Sequence, residues 1–160
     1  MSHPSLGLPP PDPKTGHPGA AAAVRSARER LAGRALEDVV AADPTLRERY
    51  DEIALRRLLR DIGTFLDQLA AALEIGEEGA FISWCEATVP MYRKRGVPVD
   101  DLVSVASAVR RLVRASVEPA AAPAVDRAVD GATAAYRRHR RLAGDARKRN
   151  PVAAFLYKGA

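Results

Sequence analysis

Leu55, Leu58, Ile62, Phe65 or Leu66, Leu69 and Leu73 recur at intervals of three and four residues. Such residues share one side of the chain only in an α-helix, where 3.6 residues complete a turn; a strand would scatter them over both faces. The stripe predicts a long amphipathic helix from Pro44 to about Leu73, with an apolar face of core-facing width. Asp43-Pro44 reads as its start, an N-cap followed by proline at the first helical position, where a missing donor is harmless. Gly63 lies inside it and marks a close helix crossing or a slight bend.

The remaining residues point to more helix. Alanine is the dominant apolar type and arginine the dominant cation, both strong helix formers. Aromatics make up 5% of the chain, and Val, Ile, Thr, Tyr and Phe are too sparse to furnish several strands. The expected class is therefore all-α, a single bundle of four to five helices, and 160 residues allow one domain with a modest core. The same bias toward alanine and arginine, with few lysines, is associated with GC-rich bacterial genes.

Four more helices complete the reading. The first runs from about Ala20 to Ala42 on a loose face of Val24, Leu31, Leu36, Val39 and Val40. The third spans about Ala80 to Arg95 with Phe81, Trp84, Thr88, Met91 and Tyr92 on one side, and Pro90 predicts a kink near Glu86 to Val89. Arg93, Lys94 and Arg95 close it against the negative end of its dipole, and Gly96 takes the left-handed terminating position. Pro98 opens the fourth helix, with Asp100 and Asp101 in its first turn as helix-start acids, where carboxylates favour the exposed N–H groups, and Leu102, Val105, Ala106, Val109, Leu112 and Val113 as its buried stripe. Arg110, Arg111 and Arg114 flank that stripe as a solvated face. After the Glu118–Pro123 break, a fifth helix runs from about Ala124 to Leu142.

Three segments follow from this. Residues 1–19 hold six of the twelve prolines and read as a disordered or polyproline-like tail, with His3 and His17 as tail residues. Residues 20–143 form the helical domain. Residues 144–160 form a basic and apolar tail ending in Val152, Phe155, Leu156 and Tyr157, which either folds back on the bundle or docks on a partner. No apolar run approaches the length of about 18 residues that a membrane span needs, and the first residues carry no apolar leader core. A cytoplasmic location is expected.

Charge is unevenly placed. The net charge is +5, yet residues 137–149 alone carry +6 and leave −1 for the rest. Arg137, Arg138, Arg140 and Arg141, with Arg147, Lys148 and Arg149, make the natural partner-binding candidates together with Phe155, Leu156 and Tyr157. Nucleic-acid binding is one reading of these cations. Consecutive positions project about 100° apart on a helix, however, so they wrap around the cylinder, and no aromatic platform interleaves them. Contact with an acidic protein partner is favoured.

No constellation carries catalysis, so no enzymatic activity is expected. Neither a phosphate loop nor a nucleophile elbow is present. The single cysteine, Cys85, excludes an internal disulfide and any multi-cysteine metal site, and its acidic neighbour Glu86 disfavours a thiolate. No metal or cofactor is expected. A small-molecule or pigment pocket around Trp84, Met91, Tyr92 and His139 is a further reading, set beside core anchoring for the aromatics and a structural hydrogen bond for His139.

The corner RGVPVDDL, with Arg95, Gly96, Val97, Pro98, Asp100, Asp101 and Leu102, resembles the N-terminal helical domain of RsbR-type stressosome co-antagonists, which also precedes effector regions in PucR-like regulators. The long helix bearing Leu55, Leu58 and Leu59 fits as well, so the resemblance covers about residues 45–142. It implies a globin-like or bundle-like domain without haem, acting as a sensor or interaction module and often dimeric. The chain departs from that pattern in that no effector domain follows, so the expected output is a protein partner, a second copy of the chain, or both.

Overall fold

The structure, a computed structural model, describes residues 16–143, with side chains as far as Arg140. Among these, seven α-helices and no strand are present, as the stripe and the composition predict for an all-α chain. They are α1 (Pro18–Ser26), α2 (Arg28–Ala42), α3 (Leu46–Arg49), α4 (Glu52–Ile75), α5 (Gly79–Lys94), α6 (Val99–Arg114) and, after a 3₁₀ turn at Pro119–Ala121, α7 (Ala122–Ala143). Helix α4 packs against α1, α2, α5 and α7, and α6 bridges α2 to α7. The predicted N-terminal tail, apart from residues 16–19, lies outside the described residues, as does the tail 144–160.

Two predicted helices are each divided in the structure. The first breaks at Ala27 (φ −98°, ψ 5°), which separates the axis of α1 from that of α2. Just past the break, the Arg28 guanidinium grips both oxygens of Asp67 at 2.9 and 2.8 Å and lies over Gly63, where a Cβ would come within 2.6 Å of it. Gly63 is thus a crossing point between α2 and α4. Pro18 and Gly19 belong to α1 rather than to the tail. The segment is tied down where His17 N–H donates to the Leu73 carbonyl at 2.7 Å, satisfying an orphan acceptor at the end of α4.

The second division falls at Tyr50-Asp51. The Asp43-Pro44 signal starts only the single turn α3, with Asp43 Oδ1 accepting from Thr45 N and Oγ1 at 3.2 and 2.6 Å. The cap of the long helix is Asp51, whose Oδ1 accepts from Ala54 N at 2.7 Å. From there Leu58, Ile62, Phe65, Leu66, Leu69 and Leu73 are all buried. The stripe is real, and Phe65 and Leu66 both belong to it.

The corner between α5 and α6 closes as its residues predict. Gly96 has φ +73°, and Val97 N–H bonds to Tyr92 O while Gly96 N–H bonds to Arg93 O, both at 2.9 Å. This pair of bonds is the Schellman arrangement that uses a glycine at the left-handed position. Helix α5 is turned by about one residue from the predicted face. Phe81, Cys85, Val89 and Tyr92 are buried, while Trp84 is half-buried and Met91 is exposed. Close approach of α7 sets this rotation: a Cβ at Gly131 would stand 2.2 Å from Ile82 Cδ1, so the missing side chain makes room for Ile82.

Candidate functional site

Asp101 is the main departure from the sequence reading. Read from sequence only as a helix-start acid, it does sit in the first turn of α6, but it is wholly buried. Its carboxylate accepts from the Tyr50 hydroxyl at 2.6 Å and from Arg49 Nη2 at 3.2 Å, and Arg49 also reaches Asp43 Oδ2 at 3.3 Å. A buried charge persists only when paired and hydrogen-bonded. The group therefore pins the α3 segment to the start of α6, a structural duty. Asp100, in the same first turn, is half-exposed and accepts from Arg140 Nη1 at 2.8 Å.

That last pair bears on the basic segment. Arg140 joins α7 to the start of α6, while Arg138 Nη2 and His139 Nε2 lie 3.6 and 3.7 Å from Glu86 on α5. Arg137 is exposed and has no acidic partner among the described residues. Several of these cations thus hold helices together rather than standing free for phosphates. Arg110, Arg111 and Arg114, predicted as a solvated face, likewise pair with Asp130, Asp38 and Asp126. The side chain of Arg141, and all of Arg147, Lys148, Arg149, Phe155, Leu156 and Tyr157, lie outside the described residues.

The four residues read as a ligand pocket are placed in different surroundings. Trp84 stacks on Phe81 with ring centroids 6.5 Å apart and leans on Phe65 at the same distance. Met91 is exposed, Tyr92 is buried beside Asp61 and Arg95, and His139 faces Glu86. Cys85 is fully buried, in hydrogen-bond contact with the Tyr136 hydroxyl. Burial pushes its thiol up to about 12, which removes the thiolate that nucleophilic chemistry needs. Among the described residues, no cluster of three His, Cys, Asp or Glu could hold a metal ion. No described helix is long and apolar enough to cross a membrane.

The surface feature that the sequence did not single out is a groove between α2 and α4. Leu36, Val40, Ala41, Leu55 and Leu59 line it together with Gly33, around an open volume of about 560 Å³. Glu37 stands on its α2 side and Arg47 at its α3 end. Leu36, Val40, Leu55 and Leu59 are only half-buried, so apolar surface remains in water there. At Gly33 an added Cβ would meet nothing within 4 Å. A helical glycine costs roughly 1 kcal/mol relative to alanine, and packing among the described residues gives no reason for one here. No protein-family model and no curated protein matches the chain.

Proposed function

We propose that the chain is a non-enzymatic regulatory module that binds a partner protein through the groove between α2 and α4. The observation that carries this reading is the half-buried apolar lining of that groove, with Gly33 leaving open space beside it. An amphipathic partner helix laid into such a groove buries anchors spaced by three and four residues. Gly33 lets its backbone approach closely. The rims add direction: a base on the partner meets Glu37 and an acid meets Arg47.

The resemblance of the corner to stress-signalling domains supports a regulatory role, with groove occupancy as the signal and the cytoplasm as its setting. A second copy of the chain is one partner that the resemblance suggests. The pairing of Arg138 and Arg140 with Glu86 and Asp100 speaks against a dedicated nucleic-acid face.

The test is a comparative pull-down with mass-spectrometric identification. The native chain is set beside Leu36→Asp/Val40→Asp, Arg137→Glu/Arg138→Glu and a chain ending at Asn150, all with unchanged helical circular dichroism. Loss of one identified partner only in the groove variant is the expected result. Loss that follows the C-terminal deletion or the arginine reversals instead would sink the reading.

A further inference from the structure

On the other flank of α4, away from the groove, the RGVP corner encloses a second and smaller recess. Ala54, Leu58 and Val97 form its apolar walls, Tyr50 closes one side, and Arg57 and Arg95 stand at it with Asp61. Its volume is about 50 Å³. At roughly 10–15 Å³ for each water-sized group, it holds about four non-hydrogen atoms.

The two arginines are not equivalent. Arg95 Nη1 is engaged by Asp61 Oδ2 at 3.1 Å, which fixes its guanidinium at the edge of the recess. Arg57 is exposed and has no acidic partner among the described residues. One neutralised and one unneutralised guanidinium leave the recess a net positive charge. The planar fork of an arginine matches a carboxylate in two parallel hydrogen bonds. The Tyr50 hydroxyl is already committed to Asp101, so that residue supplies a wall. Size, charge and apolar walls together describe an anion of three or four heavy atoms with a flat charged head and a small apolar end.

We infer that this recess is a binding site for a short monocarboxylate, of which acetate is the simplest. Its carboxylate sits between Arg57 and Arg95, and its methyl group rests on Ala54, Leu58 and Val97. The site is independent of the groove. It would place a small-anion signal on the corner that sets α5 against α6 and on the helix that forms one wall of the groove.

Amide and arginine Nε–H spectra of ¹⁵N-labelled protein, recorded at constant ionic strength against chloride, test this. Acetate should produce saturable shifts of the Gly96 and Val97 amides and the Arg57 and Arg95 Nε–H groups. Phosphate and butyrate, too large for the recess, should produce only weak, unsaturating drift. Arg57→Ala should raise the apparent Kd for acetate by about tenfold, the loss of one charge-assisted contact, and leave the remaining spectrum unchanged because Arg57 makes no ion pair among the described residues. Arg57→Lys, which keeps the charge and loses the fork, should fall between. Absence of saturation by acetate up to about 100 mM, where even weak anion sites fill, would overturn the assignment. So would equal saturation by phosphate, or an Arg57→Ala titration identical to that of the native chain.

Discussion

The Tyr50 hydroxyl lies 2.6 Å from Asp101 Oδ2, and that carboxylate is fully buried. Two residues 51 positions apart thereby fix the extended Tyr50-Asp51 link against the first turn of α6, with Arg49 as the counter-charge at 3.2 Å. Removing one member of a buried ionic group costs more than the group itself contributes, because the remainder is left desolvated and unpaired. Asp101→Ala should therefore destabilise the fold by about 3 kcal/mol or more. Tyr50→Phe, which deletes one hydrogen bond to a charged acceptor, should cost about 1.5–3 kcal/mol. Urea unfolding measures both. A cost below about 1 kcal/mol for Asp101→Ala would mean that the group behaves as an exposed pair.

Gly33 and Gly131 predict opposite responses to the same substitution. Nothing lies within 4 Å of a Cβ placed at Gly33, so Gly33→Ala should stabilise the isolated chain by about 0.5–1 kcal/mol through helix propensity and reduced unfolded-state entropy. At Gly131 the new methyl group would meet Ile82 Cδ1 at 2.2 Å. Gly131→Ala should destabilise by about 1–3 kcal/mol, as overpacking of a close helix contact does. Thermal unfolding distinguishes the two. A stabilising Gly131→Ala would show that Ile82 swings aside without cost.

How far the sequence reveals this architecture depends on whether each signal is local. The Leu58–Leu73 stripe and the Gly96 turn were legible because periodicity and a glycine at a helix end act over a few residues. The division at Tyr50-Asp51 was hidden by two competing N-cap signals, Asp43 and Asp51, of which the nearer to the proline is the more conspicuous. The burial of Asp101 could not be read from its neighbours. Its partners, Arg49 and Tyr50, are supplied from across the bundle, and an aspartate in a first helical turn already has a sufficient local explanation. The rotation of α5 escaped for the same reason, since it depends on a glycine in α7. The groove was missed because Leu55 and Leu59 continue a core stripe in sequence; only the spacing between α2 and α4 leaves them half in water.

Cys85 should be inert in the folded protein. It is fully buried, and burial moves its thiol up to about 12, so near pH 8 almost no thiolate exists and no reagent reaches it. Modification must wait for opening of the α5–α7 contact, whose population in a protein of ordinary stability is on the order of 10⁻³ or less. Labelling by an aromatic disulfide reagent at pH 8 should therefore be slower than for a free thiol by about that factor. It should become immediate in denaturant. Fast labelling of the native chain would place Cys85 at an open surface.

Alkaline pH should unfold the chain cooperatively, and the buried acids give the sign. Cys85 rises from 9.0 toward about 12, chiefly through burial. Tyr50, Tyr92 and Tyr136 are likewise raised from 10.0, with burial the largest cause in each case. For an acid whose folded-state pKa exceeds its unfolded value, the folded state retains a proton that the unfolded chain has released. Its stabilising contribution is complete below the unfolded pKa and is lost as pH rises through the interval between the two values. For Cys85 that interval runs from about 9 to about 12, and the tyrosines add to it from 10.0 upward. The urea midpoint should be level near neutrality on account of these groups and fall steeply above pH 9. Each retained proton adds a slope of up to about 1.4 kcal/mol per pH unit. Tyr136→Phe should reduce that slope by as much as one proton's share, even though it lowers stability at pH 7 by removing the contact with Cys85. Stability that stays constant from pH 8 to pH 11, or a Tyr136→Phe slope equal to that of the native chain, would show that these hydroxyls titrate as though in water.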